Sequence, residues 1–305
     1  MNTFCEDRVC IVTGAGRGIG REYALMLASH GARVIVNDLG GARDGTGSDG
    51  GPADEVVAEI KASGGEAIAN GSDVSDFKQA KEMIEQAVDH YGQLDVLINN
   101  AGILRDRMLV NMAEEEWDAV IQVHMKGTFA PAHHAGGYWR NQSKAGNPID
   151  ARLINTASVS GIYGNAGQTN YGAAKAGIAA FSIIASRELG RYGVTVNCIA
   201  PGGLTRLTED LYPGEITDEM REAQSPKWVA PIVTWLASRE SRDVTGRVFE
   251  ASGGVLAIAE GWHRGPGTDP VSDPTILGPI VRDMVKNARL NAGMNGEDLD
   301  GGLIG

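Results

Sequence analysis

Val9-Cys-Ile-Val-Thr-Gly-Ala-Gly-Arg-Gly-Ile-Gly20 sets an unbroken apolar run against a glycine-rich turn and the start of a helical pattern. Val9 to Thr13 reads as a strand buried on both faces. Glycines in the turn let the backbone fold tightly and approach a pyrophosphate closely. The helix that follows offers free N–H groups to such an anion. The spacing is Gly14, three residues, Gly18, one residue, Gly20, so Gly14, Arg17, Gly18, Ile19 and Gly20 are the candidate contacts.

Outward from this turn the pattern repeats. Arg21 to His30 reads helical and Arg33 to Asn37 as a strand. Ala53 to Ala62 is a helix with Pro52 suited to its first turn. Glu66 to Asn70 is a strand, Asp76 to Tyr91 a helix and Leu94 to Asn99 a strand. Glu114 to Trp139 reads as one helix or two, Arg152 to Ala157 as a strand and Thr169 to Tyr192 as a long helix. Val194 to Ile199, Lys227 to Ser238 and Arg247 to Ala251 complete the series. Strands alternating with helices predict a doubly wound α/β domain around a parallel sheet of about seven strands, the Rossmann arrangement. This catalytic domain is expected over 1–260. Residues 261–305 read as a partly irregular extension with a short helix from Pro279 to Leu290, whose small apolar face needs a covering surface.

The bulk numbers narrow the function classes. The chain has 305 residues, 42% hydrophobic, enough for a sizeable core. A net charge of -12 argues against nucleic acid as a partner, because phosphate backbones need a basic surface. No apolar run approaches the ~20 residues of a membrane span. The three cysteines, Cys5, Cys10 and Cys198, have no metal spacing and read as reduced thiols. With no signal-like N-terminus and no Ser-Lys-Leu end, the expectation is a cytoplasmic chain without a metal.

Asp38 ends the second strand, 18 residues beyond Gly20. A carboxylate there accepts the adenosine-ribose hydroxyls and repels a 2′-phosphate, which favours NAD over NADP. Arg17 leans the other way, but Asp38 would lie directly against the added phosphate. Tyr171 and Lys175 stand four residues apart on one helix face, and Ser158 precedes Tyr171 by 13 residues at a strand end. Oxidising an alcohol by hydride loss requires a base for the hydroxyl proton. A free phenol titrates near 10, and lowering it by ~2–3 units takes roughly 3–4 kcal/mol. An ammonium ~5 Å away supplies about 3 kcal/mol at an effective dielectric near 20. Ser158 is suited to hold the substrate oxygen.

Together the glycine turn, Asn99-Asn-Ala-Gly102, Ser158, Tyr171-Gly-Ala-Ala-Lys175 and Pro201-Gly202 resemble the short-chain dehydrogenase/reductase family over roughly residues 6–260. The resemblance implies a seven-stranded fold, usually dimeric or tetrameric. It implies that Asp73 and Val74 contact adenine and that Asn100, Ala101 and Gly102 line the cofactor trough. Lys175 would also bind the nicotinamide ribose, and Pro201, Gly202 and Thr205 would meet the carboxamide. Four segments, Val36–Gly41, Asn100–Arg107, Val123–Gly127 and Ser160–Gln168, resemble a narrower group, the dehydrogenase domains of peroxisomal D-bifunctional proteins. These imply NAD and a (3R)-hydroxyacyl-CoA or 17β-hydroxysteroid substrate. Two departures stand out: His124 occupies a place where most members carry a relay asparagine, and Arg206 one where many carry threonine, leaving Thr205 and Thr208 as substitutes.

Leu204 to Gln224 reads as a substrate lid. The Thr169–Tyr192 helix is apolar nearly all round, which predicts a homo-oligomer, dimer or tetramer. Arg105 and Arg107 suggest ion pairs with nearby acids, and Trp117 and Trp139 suggest packing. Two other readings stay open: a 3-oxoacyl-carrier-protein reductase using NADPH, and a non-catalytic NAD-sensing protein.

Overall fold

The computed structural model describes residues 3–42, 44–47, 51–205 and 215–299. Strands β1 (Val9–Thr13), β2 (Arg33–Asn37) and β3 (Glu66–Asn70) alternate with helices α1 (Gly18–Ser29), α2 (Gly51–Ala62) and α3 (Phe77–Tyr91). Then follow β4 (Val96–Asn99), α4 (Glu114–Ile121), α5 (Gly127–Lys144), β5 (Ala151–Thr156), α6 (Val159–Ile162) and α7 (Thr169–Leu189). The remainder is β6 (Val194–Pro201), α8 (Asp218–Ala223), α9 (Ala230–Ala237), β7 (Val248–Ala251), β8 (Leu256–Ala259) and α10 (Leu277–Asn287).

The sheet runs β3-β2-β1-β4-β5-β6-β7-β8. Every neighbouring pair is parallel except β7 with β8. The described residues therefore form eight strands rather than the expected seven or so. The added strand is a short antiparallel edge, with Phe249 paired to Ile258 and Glu250 to Ala257. All five residues of β1 are buried, as are all four of β4, which fits strands covered by helices on both faces. β1 lies between β2 and β4, so the strand order reverses beside it. In open α/β sheets that switch point opens a crevice at the C-terminal strand ends.

Local chemistry fixes the helices that frame this crevice. Asp76 caps α3 by accepting from the Lys78 and Gln79 N–H groups, and Gly92 ends it at φ 83°. Trp139 is wholly buried, and its indole N–H donates to the Leu94 carbonyl at 2.7 Å. Trp117 is instead 38% exposed, so only one of the two expected packing tryptophans is a core residue. Arg107 pairs with Glu116 at 3.2 Å, as its neighbouring acids suggested. Arg105 donates to the Asp44 backbone carbonyl at 2.9 Å, and its charge favours the ionised Asp44 carboxylate.

The stretch from Glu114 to Trp139, expected as one helix or two, is two helices joined by a π-helical turn, Gln122–Lys126, the second reaching Lys144. Residues 261–273 are irregular, as their Gly, Pro and Asp content suggested. α10 starts two residues earlier than expected, and none of its residues is buried within the chain. Of the expected lid, residues 206–214, including Arg206 and Thr208, lie outside the described residues. Its flanks are tied together where the Leu204 N–H donates to the Gln224 carbonyl at 2.7 Å. No described helix is long and apolar enough to cross a membrane.

Candidate active site

The crevice is a cavity of about 740 Å³. Its walls include Gly14, Arg17, Gly18, Ile19 and Gly20 from the first turn, Asp38 after β2, and Asp73 and Val74 after β3. Asn100, Ala101 and Gly102 after β4, His124, and Ser158 after β5 continue the wall. Tyr171, Lys175, Pro201, Gly202 and Thr205 close it. The candidate catalytic residues, and every described candidate cofactor contact, thus line one cavity.

The glycine turn is shaped for close approach. Gly14 and Gly18 have φ of 63° and 56°, a region that costs side-chain-bearing residues. A Cβ on Gly14 would stand 2.8 Å from the Ala101 Cα, so the two loops touch backbone to backbone. The Thr13 hydroxyl receives the N–H groups of Asn100 and Ala101 at 2.9 and 3.1 Å, locking those loops together. The Asp38 carboxylate accepts from the Gly16 N–H at 2.8 Å and the Gly40 N–H at 2.7 Å. It is thereby held at the edge of the cradle. A dinucleotide fits this arrangement: a tight glycine cradle at a helix N-terminus, and a fixed carboxylate one strand away.

Deeper in the cavity the polar groups converge. Asn99 donates to Asn155 Oδ1 at 2.9 Å, and Asn155 donates to the Ser182 hydroxyl at 2.9 Å, tying β4, β5 and α7 together beneath the site. Ser158 caps α6, accepting the Ser160 N–H at 3.1 Å. Lys175 is 3% exposed, and its ammonium donates to the Thr156 carbonyl at 2.6 Å. Burial brings that ammonium down to about 8. Its Nζ lies 5.5 Å from the centre of the Tyr171 ring.

Among protein groups alone the Tyr171 phenol is raised, where the spacing of Lys175 pointed to a lowered value. Burial pushes it up to about 12; the hydrogen bond shared with Ser158 pulls it back, and the Asp106 carboxylate raises it further. Desolvation of the phenolate thus outweighs the Ser158 hydrogen bond that favours it. Asp106 reaches this region through Gln168, whose amide donates to Asp106 Oδ2 at 2.9 Å.

His124 is buried, with its ring 5.2 Å from that of Tyr171 in an edge-on arrangement. Burial, then the charge of Lys175, pulls the imidazole down to about 3, so it is neutral. Nε2 sits against the Ile103 backbone, 2.8 Å from its carbonyl, while Nδ1 has no hydrogen-bond partner among the described residues. The π-helical turn sets this ring inward.

Sequence reading missed several wall residues. Ser252, Gly253 and Gly254 follow β7 at its C-terminal end, where the same topological rule could have found them. Asn165 and Gln168 precede α7, and Met294 comes from the C-terminal extension.

The family model described as short chain dehydrogenase matches residues 8–215. Hydroxyacyl-CoA dehydrogenase ChsB1 of Mycobacterium tuberculosis is 42% identical over 288 residues, covering 92% of this chain and 89% of that protein. Peroxisomal multifunctional enzyme type 2 of Mus musculus is 42% identical over 277 residues, 91% of this chain but 34% of that protein's length. A crystal structure of a short chain dehydrogenase from Mycobacterium avium matches with a TM-score of 0.85 at 51% identity, covering 95% of this chain and 98% of that one.

Proposed function

Because the chain belongs to the short-chain dehydrogenase family, an oxidoreductase family acting on CH–OH groups with nicotinamide cofactors, we propose that it oxidises (3R)-hydroxyacyl-CoA or a related secondary alcohol, such as a 17β-hydroxysteroid, with NAD. The observation that carries this reading is the convergence of Ser158, Tyr171 and Lys175 on the cavity that also holds the glycine cradle and Asp38. The similarity to a hydroxyacyl-CoA dehydrogenase over most of both chains supports the substrate class.

Bound in this cavity, the nicotinamide would accept the hydride from the alcohol carbon. The chain's own residues do the rest. The Ser158 hydroxyl holds the substrate oxygen, and Tyr171 takes its proton. Lys175 places a buried positive charge beside the phenol and favours its ionised form. His124, neutral and with Nδ1 unpartnered among the described residues, fits the relay position that carries the proton onward. Asp73 and Val74 would bracket adenine, while Pro201, Gly202 and Thr205 would meet the carboxamide end.

Steady-state rates with (3R)- and (3S)-hydroxyacyl-CoA and 17β-hydroxysteroids, each with NAD and NADP, test this reading. The expected result is highest kcat/KM for a 3R substrate with NAD. Preference for a 3S substrate, or for NADP, would overturn it. Asp106 adds a pH dependence. Its carboxylate raises the Tyr171 pKa, so Asp106→Asn removes a charge that opposes the phenolate. The acid limb of kcat/KM for alcohol oxidation should then move to lower pH; an unmoved or raised limb would contradict it.

The exposed Ile184 on α7, 57% accessible within one chain, supports a homo-oligomer through that helix. Sedimentation as a monomer at micromolar concentration would refute it. Three unpaired cysteines fit a reducing, cytoplasmic setting, which fractionation of the native protein would check.

A further inference from the structure

Residues 291–299 form a small hairpin, far in sequence from the residues that match the family model. Ala292 and Asp298 pair as an antiparallel bridge, and the Leu299 N–H donates to the Asn291 carbonyl at 2.8 Å. The turn closes where the Gly293 N–H donates to the Glu297 carbonyl and the Gly296 N–H to the Gly293 carbonyl, both at 2.9 Å. Arg289 anchors its base, donating to Asp298 Oδ1 at 3.0 Å.

The hairpin sits on the site's own framework. A Cβ on Gly296 would stand 3.3 Å from the Tyr163 hydroxyl oxygen. Tyr163 follows α6, the helix that Ser158 caps, and its hydroxyl donates to the Glu250 carboxylate on β7. Glu250 is 8% exposed, so this carboxylate is a buried anchor rather than a surface group. Gly296 has φ 78°, which holds the turn against Tyr163 at a position where a side chain would be both strained and crowded. Met294, at the turn, faces the cavity and is its one wall residue from the C-terminal extension among the described residues. It remains 40% exposed, leaving apolar surface for a ligand to cover.

We propose that this hairpin forms the outer wall of the substrate end of the cavity, and that Met294 selects for the apolar chain of the substrate. The inference rests on the dehydrogenase reading above. The cradle and Asp38 occupy the β1–β2 side, whereas Tyr163, Glu250 and Met294 lie on the β7 side, where the part of the substrate remote from its reacting carbon would extend. A methionine suits that place: unbranched, with rotatable bonds and a polarisable sulfur, it adapts to flexible chains of differing length. A short substrate would end before reaching it, and a long one would cover it.

The experiment compares kcat/KM for four-carbon and sixteen-carbon (3R)-hydroxyacyl-CoA in the full chain and in Met294→Glu. The long-to-short ratio should fall about tenfold, the equivalent of losing roughly two buried methylene contacts, chiefly through KM for the long substrate. The ratio does not depend on the fraction of enzyme folded, because both substrates sample the same molecules. Gly296→Val, which displaces the hairpin from Tyr163, should lower the ratio in the same direction. A ratio unchanged in Met294→Glu, with wild-type enzyme active on both substrates, overturns this inference alone. Wild-type enzyme inert on every hydroxyacyl-CoA overturns the hydroxyacyl-CoA reading and this inference together.

Discussion

Tyr171→Phe should lower turnover by about 10²- to 10⁴-fold, the usual contribution of a positioned acid–base group, while the Kd for NAD stays near the wild-type value. The substitution removes one oxygen. It keeps the ring that lies edge-on to His124 at 5.2 Å, so the wall of the cavity is preserved. Stopped-flow turnover and fluorescence titration of NADH on the same preparation separate chemistry from binding. His124→Ala, which leaves the phenol in place, should lose less than Tyr171→Phe. Turnover in Tyr171→Phe close to wild type would remove the phenol from the mechanism.

Asp38→Ala should shift the NAD-to-NADP ratio of kcat/KM by about a hundredfold toward NADP. A carboxylate fixed by the Gly16 and Gly40 N–H groups cannot swing away from an added phosphate. Like charges forced together cost several kcal/mol, and each ~1.4 kcal/mol is a factor of ten. Removing the carboxylate also frees the two N–H groups to meet an anion. Arg17, exposed on the same cavity wall, is then a cation available to that phosphate. Steady-state assays with both cofactors read the ratio directly. An unchanged ratio would mean that cofactor choice is made elsewhere.

Much of this architecture was legible in the sequence because its signals are local. The first three strands match their expected bounds residue for residue. Each is an apolar run bordered by residues that end a strand, and burial on both faces makes such runs continuous. The glycine turn, Asp38 and the Tyr171–Lys175 pair were readable because each role needs a residue type at a fixed spacing. β8 was not readable: Leu256-Ala-Ile-Ala259 is short and largely exposed, and its strand character comes from pairing with β7. The π-helical turn at Gln122–Lys126 has no sequence signature of the kind that caps and breakers provide. Met294 reaches the site only because a distant hairpin docks on Tyr163. The raised Tyr171 pKa among protein groups alone was not readable either: Lys175 stands at a legible spacing, but the burial that disfavours the phenolate depends on the whole fold.

The phenol is therefore the point on which the chemistry turns. Burial holds it near 12 among protein groups alone, while its proposed role as a base needs a far lower value once the cavity is filled. NMR titration of protein carrying ring-labelled tyrosine, with and without saturating NAD, follows this one group, with Tyr171→Phe assigning its resonance. The expected result is a Tyr171 signal that ionises at high pH in the free protein and at markedly lower pH in the complex. A signal that stays protonated to the same high pH in both states, in enzyme turning over normally at neutral pH, would contradict the role given to this residue.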